Sequence, residues 1–370
     1  MHRRVARRAV VAFATVAATL LSANVARAQT SVSGVVYAAY NYNLAKDTLP
    51  ADSSIGHINN FDVTRAYINV NGKFAGGIVT RVTADIFGSG VAGGAHVFRL
   101  KYAFVAWTPE HSALTYKIGA TQTPLLDWEE ALWDYRMQGT MPLERNGYVS
   151  SSDFGLAVDG KWSSDRVNMQ AGIYNGENYS TTALGDQRKD VMARVSVRLM
   201  NTDDGSRVGG LRLTAYGQYG MPSSGGQRQR YLGMISYRSM NVTLVGEYAT
   251  TKDSTTGGNT AIGGGNVGPV TSRTGRVISV YGTLHFPQTR VTLVGRVDLV
   301  DPNTADSSAT FPTANMDQQT RIIAGVAYQV APNFRLLADY DGVSFQTGAV
   351  PSSATYFGRQ TLYLHAMFTY

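Results

Sequence analysis

Cysteine is absent from the 370-residue sequence. Without it there is no disulfide framework and no thiolate metal site, and no residue that could carry a lipid anchor at an N-terminal cleavage site. Charge is scarce at 16%. Beyond the first 28 residues, no run approaches the ~18–20 apolar residues of a membrane helix. A strong excess of positive charge is missing as well. The formal total is +7, but the first 28 residues contribute Arg3, Arg4, Arg7, Arg8 and Arg27 and no acid. The remainder holds 28 basic against 26 acidic residues, so nothing in the charge balance argues for a nucleic-acid partner. Hydrolase signatures are lacking too. His57, His96, His111, His285 and His365 form no H-E-x-x-H spacing, and there is no G-x-S-x-G. The glycines at 263–265 lie in a Gly/Thr/Asn segment rather than between a strand and a helix, which argues against a phosphate cradle.

What is present begins with an export signal. "MHRRVARR" is a basic start, "AVVAFATVAATLL" a short apolar stretch, and "SANVARA" ends in small residues at Ala26 and Ala28. The pattern predicts cleavage after Ala28. The chain then divides into a signal peptide, 1–28, and a single domain, 29–370.

That domain is a succession of segments about ten residues long whose apolar residues recur with period two. Sixteen lie near 31–43, 60–70, 77–87, 96–107, 113–122, 153–162, 166–176, 188–200, 208–220, 229–238, 241–250, 275–286, 289–300, 320–330, 333–344 and 359–370. About ten residues exceeds the five or six of a typical soluble strand and matches a bilayer crossed at a tilt of about 45°. The connections alternate between short ("NGKFAG", "TPEHS", "SSD", "NTDDGSR", "RSMN", "FPQT", "APN") and long, seven against eight. An antiparallel array whose long loops share one end requires this, and transmembrane barrels sort their loops in this way.

The strand faces agree. Val191, Ala193, Val195, Val197 and Leu199 oppose Met192, Arg194, Ser196 and Arg198, and Phe98, Leu100, Tyr102, Phe104 and Ala106 oppose Arg99, Lys101, Ala103 and Val105. An apolar face outside and a charged face inside is the pattern of a barrel in lipid, where an open sheet edge would have no partner and closure is obligatory. Aromatics near segment ends (Tyr40, Tyr42, Trp107, Trp162, Tyr248, Tyr340, Phe368, Tyr370) are placed as interfacial girdles. The expected fold is therefore all-β: a transmembrane antiparallel β-barrel of sixteen strands, with short periplasmic turns and long extracellular loops.

Sixteen strands enclose an aqueous lumen. The alternation turns Arg65, Arg81, Arg99, Lys101, Lys117, Lys161, Arg194, Arg198, Arg212, Arg296, Arg321 and Arg335 inward, against Asp85, Asp159, Glu247, Asp298, Asp339 and Asp341. Such a wall predicts a mild preference for anions. The third long loop, "TPLLDWEEALWDYRMQGTMPLERNGYVSSS", is too apolar to be freely solvated and contains a helical stretch that Asp127 could cap. It is expected to fold into the lumen and narrow it, with Asp127, Glu129, Glu130, Arg136, Glu144 and Arg145 facing the basic wall. The chain ends in "TLYLHAMFTY", whose Leu362, Leu364, Ala366, Phe368 and Tyr370 would face lipid while the strand closes on the first one. Phe368 and Tyr370 resemble the terminal signal read by the outer-membrane assembly machinery.

"FDVTRAYINVNGKF", "YKIGATQTPL", "VTLVGRVDLVDPN" and "RIIAGVAYQVAPNFRLLADYD" resemble strands of the phosphate-selective porin family of Gram-negative outer membranes. The resemblance covers most of the chain after residue 28. It implies a sixteen-stranded, commonly trimeric channel in the outer membrane for passive diffusion of small hydrophilic solutes, anions and phosphate among them, with no cofactor. One departure stands out: where the family carries a basic residue before the proline, this sequence has Ala120, Thr121, Gln122 and Thr123. An enzyme or an adhesin on the same barrel is the alternative, with a cross-strand Ser–His pair at His285 or His365 as the enzyme's basis.

Overall fold

A computed structural model describes residues 29–48, 54–88, 94–181, 187–221, 226–254, 272–304, 318–346 and 360–370. The segment 1–28 lies outside the described residues, as do the glycines at 263–265. The strands are β1 (Gln29–Thr48), β2 (Ile55–Phe74), β3 (Ile78–Gly88), β4 (His96–Trp107), β5 (Leu114–Gln122), β6 (Ser152–Trp162), β7 (Val167–Tyr174), β8 (Asp190–Met200), β9 (Gly210–Gly220), β10 (Arg228–Arg238), β11 (Val242–Ser254), β12 (Ser272–His285), β13 (Val291–Asp301), β14 (Gln319–Ala331), β15 (Phe334–Phe345) and β16 (Gln360–Thr369).

Each strand pairs antiparallel with its sequence neighbours, and β16 returns to β1 to close a barrel of sixteen strands. The seam runs in register from Val35 opposite Thr369 to Asn43 opposite Thr361. The last residue takes part: Gly34 N donates to Tyr370 O (2.9 Å) and Tyr370 N to Gly34 O (3.1 Å). Seven connections join the strands at one end and eight at the other, as the antiparallel order demands, and the β8–β9 turn (201–209) is longer than its place among the short connections suggests. The first hairpin is longer than the periodicity suggests. Both of its strands have 20 residues, because Lys46, Asp47 and Thr48 continue to pair with His57, Gly56 and Ile55. The ladder reaches them through an irregularity between Tyr42 and Lys46, and the polar residues beyond it pair without any apolar alternation.

The outer surface is an apolar band. Val191, Val195, Leu213, Ile235, Leu244, Val280, Leu293 and Leu364 are all exposed. Each would give up roughly 1.5–3 kcal/mol by standing in water rather than an apolar medium, so this surface calls for lipid. Trp107, Trp162, Phe286, Tyr328 and Tyr370 are exposed at the turn end, where amphipathic rings suit a membrane interface.

The expected face assignment fails in one strand. Along β4 the register steps from Tyr102 opposite Thr83 to Leu100 opposite Ala84, so Lys101 is one residue too many. A β-bulge of this kind reverses the facing of everything after it. Phe98 and Leu100 point outward as expected, but Tyr102 and Ala106 are buried, and Val105 and Trp107 take the outer face instead. Lys101 and Tyr102 thus both reach the lumen from adjacent positions.

The apolar core of the molecule lies inside the barrel. It joins Leu125, Leu126, Trp128, Leu132, Trp133, Met141 and Leu143 of the third long loop to inward residues of β6 through β15, among them Met192, Tyr216, Met234, Val245, Val277, Tyr281, Val294 and Leu337. The loop has folded into the lumen, as the sequence predicts.

Candidate functional site

The loop is built around a helix, α1 (Pro124–Leu132), with a second short helix, α2 (Pro142–Arg145). Proline fits the first turn of both, where its missing N–H has no helical partner to lose. Asp127 is therefore not the cap: Thr123 precedes α1, and Asp127 sits in its first turn. Leu125, Leu126, Trp128, Glu129 and Leu132 recur at helical spacing and are buried, whereas Asp127, Glu130 and Ala131 line the remaining cavity. Between the helices the chain turns at Gly139, at φ 144°. A side chain at that position would collide with the Arg145 guanidinium.

Arginines fix the loop to the covered side of the wall. Arg194 stacks on Trp128, 4.1 Å from the ring centroid, and its Nε donates to Pro124 O (3.1 Å). Arg212 and Arg207 approach the same ring at 5.4 and 5.7 Å. Arg296 Nη1 donates to Thr140 O (2.8 Å) while its Nε holds Asp298 (2.9 Å). At the end of α1, Arg238 donates to Ala131 O (3.2 Å) and Leu132 O (3.1 Å) and pairs with Asp134 (2.9 Å) and Asp204 (2.7 Å). Those carbonyls are ones that a helix end leaves without partners. Arg335 donates to Asp134 O (3.1 Å) and covers Tyr135 (4.8 Å). Arg198 turns to Ser164 O in a turn (2.7 Å).

This corrects the expected row of basic residues lining the pore. Arg194, Arg212 and Arg296 are 1%, 0% and 2% exposed. They point inward as the alternation requires, but the loop lies over them, so they bind protein rather than border an open path. The six charged loop residues expected to face a basic wall are divided in the structure. Asp127, Glu130 and Arg136 line the cavity. Glu144 pairs with Arg136 (3.4 Å), Arg145 reaches Asp341 on β15 (2.9 Å), and Glu129 is buried against the wall. Burial would raise Asp127, but the Arg207 guanidinium bound to it holds it below the usual carboxylate range. Burial, with Arg321 nearby, pushes Arg145 down to about 10.

The opposite wall, β1 to β5, stays open to a cavity of about 350 Å³ between itself and the loop. Its cations rest on aromatic rings. Lys101 lies 4.7 Å from the centre of Tyr67 and donates to the Tyr67 hydroxyl (3.1 Å). Arg81 lies 4.7 Å from the centre of Tyr102 and donates to Thr83 (2.9 Å) and Asn69 (2.9 Å). Toward the long-loop end, Arg65 and Arg99 share Asp85 at 3.5 and 2.8 Å, and at the turn end Lys117 pairs with Asp159 (2.6 Å). Around the cavity Asp127 is matched by Arg207 and Glu130 by Arg136 (2.8 Å). Among the described residues, Arg81 and Lys101 have no carboxylate within ion-pair distance. Lys101 is itself 2% exposed, and Arg136 is shared by two carboxylates, Glu130 and Glu144, so four cations (Arg81, Lys101, Arg136, Arg207) stand against three carboxylates (Asp127, Glu130, Glu144), with Arg81 the cation outside any salt bridge that the cavity reaches most openly.

Tyr37 and Tyr67 fall on the inward face by simple alternation and could have been found in the sequence. Tyr102 is hidden by the bulge. Arg207, in the β8–β9 turn, carries no periodic signal at all. His285 is held by Thr292 (3.1 Å) and His365 by Asp339 (3.1 Å).

No protein-family model and no curated protein matches the sequence. Solved structures do match. An anion-selective porin from Comamonas acidovorans aligns over 93% of this chain and 100% of its own, with a TM-score of 0.64 at 10% identity. The outer membrane channel DcaP of Acinetobacter baumannii aligns over 93% and 97%, with a TM-score of 0.61 at 10% identity. OmpF of Salmonella typhi, solved with daunomycin, aligns over 92% and 97%, with a TM-score of 0.61 at 14% identity. At these identities the likeness is one of fold: this chain has the architecture of the sixteen-stranded porins.

Proposed function

We propose that this chain is an outer-membrane porin, a water-filled channel for passive diffusion of small hydrophilic solutes with a mild preference for anions, phosphate among them. The observation that carries the reading is the divided lumen, in which a loop fills one side of a closed barrel and leaves a narrow strip beside Arg81 and Lys101. Selection there works by size and field, with no covalent step: a small excess of positive charge, with Arg81 the cation most open to a solute, favours anions, while Glu130 and Asp127 across the gap keep the bias mild. The chain acts as a channel rather than as an enzyme or adhesin, without a cofactor.

The same reading covers the route to the membrane and the assembly. Residues 1–28 direct export and are removed, and the outer-membrane assembly machinery recognises Phe368 and Tyr370. Three copies associate in the membrane. The test is planar-bilayer conductance of the refolded protein under a KCl gradient. A channel with an anion-selective reversal potential is expected; absence of a channel refutes the porin, and a cation-selective potential refutes the anion bias. Replacing Phe368 and Tyr370 with Ser is expected to lower the yield of heat-modifiable barrel in cells, and a wild-type yield would count against that role.

A further inference from the structure

One acidic side chain of the loop helix faces away from the solute path. Glu129 is fully buried, and its carboxyl group meets that of Glu247 on β11, itself 4% exposed. All four oxygens of the two carboxyl groups are buried, and no donor reaches them. Two ionised carboxylates would not remain in that position, because burial and like charge both oppose the second ionisation. One cation is near: Arg296 gives its Nε to both oxygens of Asp298 (2.9 Å each) and its Nη1 to Thr140 O (2.8 Å), while its Nη2, 2.7 Å from Asp298, is buried without a hydrogen bond, so its charge is shared between Asp298 and the pair. The other titratable groups facing the pair are Asp298 on β13, Glu144 on the loop, and the phenols of Tyr281 on β12 and Tyr216 on β9. None of them supplies positive charge.

We propose that Glu247 is a positioning residue for the constriction and acts through Glu129: the two carboxyl groups share one proton, the O–H of one donating to an oxygen of the other, and this bond holds α1 on the wall. The arrangement is economical in charge. With one proton the pair carries a single negative charge beside Arg296 and gains a strong O–H to carboxylate hydrogen bond. Removing that proton leaves two buried charges in contact. Burial and the adjacent Glu247 both raise the Glu129 carboxyl well above the usual range, so the bond outlasts the pH at which an ordinary carboxyl ionises and breaks as pH rises further. As the proton leaves, like charges push α1 off the wall of β10 to β13. The constriction then loses its fixed width.

The proposal rests on the channel reading, and its test separates the two. Single-channel recordings of wild type, E129Q and E247Q span about pH 6 to about pH 10. Expected for wild type is steady current at the acid end, then a reversible rise of at least several-fold in open-channel noise as pH increases. Both Gln variants stay level, because the amide N–H donates to the remaining carboxylate and does not titrate. Level wild-type noise over the whole range, or Gln variants that follow wild type, overturns the proposal. E129Q lies outside the barrel strands and carries the test if E247Q assembles poorly. A barrel that conducts nothing sinks only the channel reading, since the same titration is then read from the fluorescence of Trp128 and Trp133, which flank Glu129 on the loop. Fluorescence that ignores pH in wild type, or that shifts equally in E129Q, also overturns it.

Discussion

The lumen has two unlike walls. From β6 to β15, inward positions hold Met192, Met234, Val245, Val277 and Val294, and Arg194, Arg212 and Arg296 among them are buried under the loop. From β1 to β5, inward positions hold Tyr37, Tyr67, Asn69, Arg81 and Thr83, which border the cavity. Both walls follow the same alternation and have the same apolar outer face. They differ in what they face across the barrel, and that difference gives the same residue type two jobs. An arginine under the loop spends its donors on carbonyls and aromatic rings and fixes geometry. Arg81, on the open wall, keeps a charge that a solute can feel.

The largest break in this comparison is removal of the loop. Deleting 127–145 uncovers the apolar wall and, on the proposed channel function, should raise single-channel conductance several-fold, because a sixteen-stranded barrel encloses an aqueous lumen that the loop otherwise fills. It should also lower the temperature at which the folded barrel is lost in a gel-shift assay. Unchanged conductance would mean that the loop does not set the narrow point. A smaller version is Trp128→Ala. It removes a fully buried ring ringed by three arginines, and a loss of about 3–5 kcal/mol of loop packing is expected. The readout is faster protease cleavage within 123–151, with noisier current; wild-type resistance would show that the other apolar residues hold the loop unaided.

A paired substitution sharpens the contrast further. Arg81→Gln with Lys101→Met removes the two cations of this wall that stand outside salt bridges and should move the reversal potential in a KCl gradient toward cation selectivity while leaving protease resistance intact. Arg194→Met should do the opposite: no shift in reversal potential, but a loosened loop. Equal shifts from both would erase the distinction between the walls.

How far the sequence carried depends on the range of each interaction. Sixteen strands, the sorted loops and the closing role of Leu362 to Tyr370 were legible because the lipid face imposes a strict period of two on every strand. Burial of the loop was legible because Trp128 and Trp133 are too apolar for water. What escaped was non-local. Whether Arg194 or Arg81 meets water depends on where a loop from elsewhere in the chain comes to rest. The bulge at Lys101 is one residue in length, yet it reverses the faces of half a strand. The pairing of Lys46 with His57 persists through polar residues that carry no pattern.

The smallest expected effect concerns the tie between α1 and the β8–β9 turn. Asp127 pairs with Arg207 (2.5 Å), whose guanidinium also donates to Asp127 O (2.5 Å). Burial opposes ionisation of this carboxyl, yet the guanidinium wins and holds it below its usual value. The native group therefore gives up its proton more readily than the unfolded one. The stability it contributes is complete above the ordinary carboxylate range and is lost as pH falls through the lowered native value. Mild acidification should thus leave loop protection unchanged, and only strong acid should weaken it. In Arg207→Gln, burial is opposed only by the charges of Lys117 and Arg194, so the loss should begin at higher pH. Arg207 is about a third exposed, so salt screens the pair and the difference should shrink as ionic strength rises. Protease sensitivity of the loop, titrated at low and high salt, checks this. Identical acid profiles for wild type and Arg207→Gln at low salt would leave the loop's position on the covered wall to packing, the buried carboxyl pair and the other arginine ties, without this one.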